Sequence, residues 1–140
     1  MKHILLNHPS RGRPDELVVA FKNFIGMSSH INPIKYVISI DKDDPLLTEY
    51  SRTLDECTKY AHSFPNVNIE FIVSNNKTVT EAVNRSYTKE NLDSYQVVSM
   101  VSDDFRVPEN WDQDAIIEFD KYGYDKILKT YQPGGRPDLI

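Results

Sequence analysis

The chain has 140 residues, enough for one domain that buries most of a core. With 16 basic against 21 acidic residues the formal net charge is −5, which argues against a broad nucleic-acid or anionic-membrane surface but leaves room for a local phosphate pocket. The lone cysteine, Cys57, excludes an intrachain disulfide, the opening apolar run Ile4-Leu5-Leu6 is too short for a signal peptide, and no run approaches a membrane span, so a cytoplasmic protein is the expectation.

Lys2 to Asn7 reads as a first strand, with His3-Ile4-Leu5-Leu6 as its apolar run. The loop His8-Pro9-Ser10-Arg11-Gly12-Arg13-Pro14 follows, rich in turn formers and cations. Pro14 suits the first turn of a helix, and Asp15 and Glu16 complement its dipole. Leu17, Val18, Phe21, Phe24 and Ile25 share one face of that helix, and Gly26 can end it. A second strand, Lys35 to Ile40, stops at Asp41. Asp44 and Pro45 have the pattern of an N-cap and first helical residue. The helix beyond them carries the stripe Leu46, Tyr50, Leu54, Cys57, Ala61 and Phe64, and Pro65-Asn66 closes it. Cys57 on that apolar face is expected to be core.

The third strand runs from Asn68 to Val73, followed by the polar turn Ser74-Asn75-Asn76-Lys77. Thr78 to Glu81 is a capping-box pattern, and Val79, Ala82, Val83 and Tyr87 share a helical face. The stretch Gln96 to Asp104 is a short apolar strand ending in adjacent acids. Pro108-Glu109-Asn110-Trp111 starts another helix, with Trp111, Ala115 and Phe119 four apart. A fifth strand, Lys126 to Tyr131, precedes the turn Gln132-Pro133-Gly134-Gly135. Regular strand–helix alternation predicts a single α/β domain, a largely parallel sheet flanked by helices. The closing Asp138-Leu139-Ile140 reads as the start of an element, so a C-terminally incomplete domain is expected, with an exposed sheet edge that could drive homodimerisation.

The carboxyl ends of parallel strands are where such sheets bind ligands. Asp103 and Asp104 are either a turn whose carboxylates satisfy nearby backbone N–H groups or a site for Mg²⁺ or Mn²⁺, completed by ligand phosphates. Asp41, on the predicted same rim, is a loop aspartate or an acceptor for a base N–H or ribose hydroxyl. Arg11 and Arg13 are solvated, or they are paired donors to a diphosphate, with Gly12 permitting close backbone approach. Asp43 and Asp44 read as solvated or capping. An EF-hand fails because its glycine and glutamate positions hold Leu46 and Arg52. Neither GxGxxG nor GxxxxGKS/T occurs, so a Rossmann dinucleotide site and a P-loop find no support, and no GxSxG marks a hydrolase serine. The histidines, His3, His8, His30 and His62, lack metal-ligand spacing.

From Ile4 to Tyr131 the chain resembles the donor-binding half of a family 2 glycosyltransferase with the Rossmann-like GT-A fold. The resemblance rests on Pro9-Ser10-Arg11-Gly12-Arg13-Pro14, Asp41, Ala82-Val83-Asn84, and Ser102-Asp103-Asp104 with Pro108 and Trp111. It implies a metal-dependent transferase that binds a UDP- or GDP-linked sugar with Mn²⁺ or Mg²⁺ and passes the sugar to an acceptor hydroxyl. By position, Pro9 and Ser10 would line the base pocket, Asp41 would bind the base, Arg13 and Lys77 would be donor-site cations, and Asn84 would lie near the nucleoside. Aligned on Pro108, Asp103 falls on the metal-binding last acid of the family's DxD motif, and the first acid falls on Val101. Aligned on the acid pair, Asp104 takes that place; the resemblance favours Asp103 as the ligand, with both carboxylates expected within reach of the metal. Val83 stands where the family often has Arg. The acceptor-binding half and catalytic base lie beyond the matched region, so no base is named. The alternative is a non-catalytic nucleotide-binding or interaction domain. A sugar nucleotidyltransferase would need a glycine-rich first loop that is absent.

Overall fold

A computed structural model describes residues 2–76, 78–89, 92–126, 129–132 and 136–139. The elements in order are β1 (Ile4–Ser10), α1 (Pro14–Gly26), β2 (Ile34–Asp41), α2 (Leu47–Ala61), β3 (Val67–Ser74), α3 (Val79–Lys89), a single 3₁₀ turn (Leu92–Ser94), β4 (Val97–Met100), α4 (Trp111–Tyr122), β5 (Lys129–Gln132) and β6 (Arg136–Leu139). The main sheet is four-stranded and wholly parallel, in the order β3-β2-β1-β4. The α/β architecture expected from the alternation of elements is therefore present, compatible with a Rossmann-like arrangement. The order reverses direction at β1, the kind of switch point outside which open sheets bind ligands.

Alternation along β1 sorts its residues onto two faces. Ile4 and Leu6 join Tyr36 and Ile38 of β2 and Leu17, Phe21 and Ile25 of α1 in the main core, to which Tyr50, Cys57 and Ala61 of α2 also belong. Leu5 and Val37 are buried on the opposite face, where α3 packs against β1 and β2 and buries Ala82 and Val83. Right-handed crossovers on either side of a strand reversal place successive helices on opposite faces in this way. Fully burying an aliphatic or aromatic side chain stabilises by roughly 1.5–3 kcal/mol, so this two-sided core holds the rim in place. Burial also pushes the Cys57 thiol up to about 12, as a core cysteine should behave.

Several boundaries differ from the sequence reading, each for a local reason. β1 continues through Pro9 to Ser10, paired with β2 as far as Ser10↔Ile40, so both residues belong to strand and not to loop. Pro9 is tolerated there because β4 pairs only as far as Met100, and the Val101 N–H already donates to the Asn7 carbonyl at 2.7 Å. The missing N–H of Pro9 falls on that same side, past the end of the ladder. α2 starts at Leu47 and not at Pro45, because the Asp44 carboxylate is shared: Oδ1 accepts from Leu46 N at 2.8 Å and Oδ2 from Gly12 N at 2.7 Å. Gly26 is the last helical residue of α1. A Cβ there would come within 2.7 Å of the Tyr60 hydroxyl, so its role is close packing. Thr78 caps α3, its Oγ1 accepting from Glu81 N at 3.1 Å.

The fifth strand pairs antiparallel with β6 in a separate two-stranded sheet and does not extend the parallel one. Part of its predicted span, residues 127 and 128, and the predicted turn at 133–135 lie outside the described residues. Among the described residues no helix is long and apolar enough to cross a membrane.

Candidate functional site

A cleft of about 620 Å³ opens at the carboxyl ends of β1 and β2, walled by the start of α3. Pro9, Ser10 and Arg11 line it from β1 and the loop beyond, and Ser39, Asp41 and Asp43 line it from β2 and its loop. Asn76, Thr78 and Ala82 complete it. Four residues expected at a donor site, Pro9, Ser10, Arg11 and Asp41, therefore share one wall-to-wall space. Asn84 and Ser102 are not among its lining residues. Asn84 is exposed on α3 beyond Ala82, and Ser102 is in the turn after β4, where its carbonyl accepts from Phe105 N at 3.0 Å. Lys77 lies outside the described residues.

Asp41 sits at the centre of a hydrogen-bonded arc. Its Oδ2 accepts from Arg11 Nη1 at 3.0 Å and its Oδ1 from Asn76 Nδ2 at 2.9 Å. Arg11 also donates to Asp43 at 2.8 Å. The bonds from Asp43 and Asp41 raise the Arg11 pKa, and Arg11 in turn lowers that of Asp43. The Asn76 amide is oriented from behind, since Arg85 Nε can only donate and does so to Asn76 Oδ1 at 3.1 Å.

The acid pair divides between the interior and the surface. The Asp103 side chain is only 7% exposed and points to the α1–α2 face, whereas Asp104 is 68% exposed and pairs with Arg13 at 2.8 Å. The bond to Asp104 raises the Arg13 pKa. Asp103 Oδ1 meets His8 Nε2 at 2.7 Å, and Oδ2 accepts from Ser10 Oγ at 3.1 Å. Two tyrosines extend the network: Tyr36 Oη lies 2.6 Å from His8 Nδ1, and Tyr50 Oη lies 2.7 Å from Ser10 Oγ.

Ser10 donates its one hydroxyl proton to Asp103, so Tyr50 donates to Ser10, while Tyr50 Oη accepts from Arg13 N–H at 3.1 Å. On the other side, Tyr36 Oη and Asp103 Oδ1 engage the two ring nitrogens of His8, and burial raises the Tyr36 pKa. The buried carboxyl group thus has two partners inside the protein, His8 and Ser10.

His8, Tyr36, Tyr50, Asn76 and Thr78 were not legible as site residues. The only available signal for His8 was parity: it lies between Leu6 and Ser10 on alternate β1 positions that face the core. Arg106, near the acids, wraps its own loop, Nη1 donating to the carbonyls of Asp103 at 2.9 Å and Phe105 at 2.6 Å.

Among the described residues no group of three or more His, Cys, Asp and Glu side chains is arranged to hold a metal ion. Mg²⁺ commonly takes only one or two carboxylates and draws its remaining ligands from water and substrate phosphates. The chain matches no family model and no curated protein.

Proposed function

We propose that this chain is the nucleotide-sugar-binding unit of a metal-dependent glycosyltransferase with a GT-A-like arrangement. The observation that carries the reading is the cleft itself: Ser10, Arg11 and Asp41 line one space at the carboxyl ends of β1 and β2, and the Ser10 hydroxyl also bonds to Asp103. The base would lie against Asp41, and the diphosphate would run across the end of β1 toward Arg13 and Asp104. The Arg13 guanidinium is a planar donor suited to phosphate oxygens. Asp104, backed by Asp103, would hold Mn²⁺ or Mg²⁺, and when bound such a cation neutralises charge on a departing diphosphate. The chain's own residues would orient the donor: Asp41 fixes the base, and the Asp103 network fixes the β4 rim against β1.

Calorimetry with UDP and GDP, with and without Mn²⁺, tests this. Metal-dependent binding that Asp104→Ala weakens supports it, and no binding of either nucleotide under any condition overturns it. A second reading, nucleotide binding without transfer, is favoured by one observation: both Asp103 oxygens are engaged inside the protein. Sugar release from UDP-glucose, UDP-galactose or GDP-mannose separates the two, since binding without turnover selects the second.

A further inference from the structure

We infer that the cleft selects a base with an imide edge, uracil or thymine, over guanine, cytosine and adenine. This deepens the nucleotide reading above and rests on it. The arc Arg11–Asp41–Asn76 presents a donor, an acceptor and a donor in sequence, and all three residues line the cleft. The order is fixed, because guanidinium and carboxylate have one polarity each and Arg85 holds the Asn76 amide with its NH₂ toward Asp41. Each Asp41 oxygen accepts one bond from its neighbour and keeps a second lone pair for a ligand N–H.

The flanking donors can also be released to a ligand. The second partner of Arg11 is Asp43, which is 72% exposed, and the second partner of Asn76 Nδ2 is the Ser74 hydroxyl at 3.1 Å. A base carbonyl can take the place of either. Uracil and thymine present carbonyl, N–H, carbonyl, the complement of this arc. Cytosine and adenine put a lone pair at the centre, against the carboxylate. Guanine puts an N–H there but sets its exocyclic amine against a flanking donor. A mismatch of that kind leaves polar groups unpaired.

The test is calorimetric titration of the whole chain with UDP, dTDP, GDP, CDP and ADP at one ionic strength and one Mn²⁺ concentration. UDP and dTDP are expected to bind comparably, and each of the others about tenfold to a hundredfold more weakly. GDP, CDP or ADP binding as tightly as UDP overturns the base assignment while leaving nucleotide binding intact. If no nucleoside diphosphate binds, the nucleotide reading falls and this inference with it. Asn76→Asp turns one flanking donor into an acceptor and is expected to shrink the UDP-over-GDP preference about tenfold. With an unchanged circular dichroism spectrum, an unchanged preference would overturn the role of the flank.

Discussion

His8 and Asp103 are 95 positions apart in the chain and 2.7 Å apart in the fold, one on the central strand β1 and the other just past the edge strand β4. Neither could be paired with the other from the sequence, because the contact exists only once β4 has crossed back beside β1. The bond closes the sheet's switch point from the inside, and the cleft opens on its other side.

Asp103→Ala is expected to lower stability by about 2–3 kcal/mol, because two buried groups, His8 Nε2 and Ser10 Oγ, lose their partner. Urea unfolding read by circular dichroism measures it. A loss below about 0.5 kcal/mol, the usual range for surface changes, would mean that the network contributes little.

Gly12 has φ +66°, with no atom within 4 Å of where a Cβ would stand. Substitution there meets strain without a clash. Gly12→Ala should cost about 1–2 kcal/mol, and Gly12→Asn less, since asparagine visits the left-handed region more readily. Thermal denaturation of both variants checks the order.

Strands, helices and the apolar stripes were readable because they depend on local period and turn chemistry. The Leu17–Phe21–Ile25 stripe and the Tyr50–Cys57–Ala61 stripe both face the core as their spacing requires. Part of the cleft was readable too, since Arg11 and Asp41 follow from knowing where parallel strands end, and the resemblance put Pro9 and Ser10 beside them. The direction of Asp103 was not. Of the two adjacent acids one is buried and the other is exposed against Arg13, and which one turns inward depends on the path of the loop after β4. Asn76 was hidden for a similar reason, as its role depends on Arg85, almost two turns into α3.

Asp112, at the start of α4, is wholly buried and carries a pH dependence. Burial pushes its pKa up, but bonds from the Ser29 hydroxyl and Asn32, with the Ser29 amide, outweigh this and hold it below the usual carboxylate value. A folded pKa below the unfolded one gives stability that is complete above the ordinary value of 3.8 and is lost as pH falls through the lower folded value. Wild type should therefore lose stability faster than Asp112→Asn on acidification through that range. Urea midpoints for both proteins across it measure the difference, and parallel slopes would contradict the assignment.

Cys57 is fully buried, with its thiol held near 12, so it is almost entirely protonated at neutral pH. A disulfide reagent should label it only at the rate of global unfolding and fully in denaturant. Stopped-flow absorbance distinguishes this from rapid native labelling, which would mean that α2 separates from the sheet without unfolding.

The alternation of β1 has a consequence for folding as well as for the finished site. His8 and Ser10 bond inward to Tyr36, Tyr50 and Asp103, while Pro9 lines the cleft. A slip of one residue would turn Pro9 into the polar pocket and leave the tyrosine hydroxyls and the carboxylate without donors or acceptors. Parallel sheets form late and can misalign cheaply where their faces are uniformly apolar. In this sheet the polar chain acts as a register gauge: only one alignment of β1, β2 and β4 completes it, and that alignment also forms the cleft.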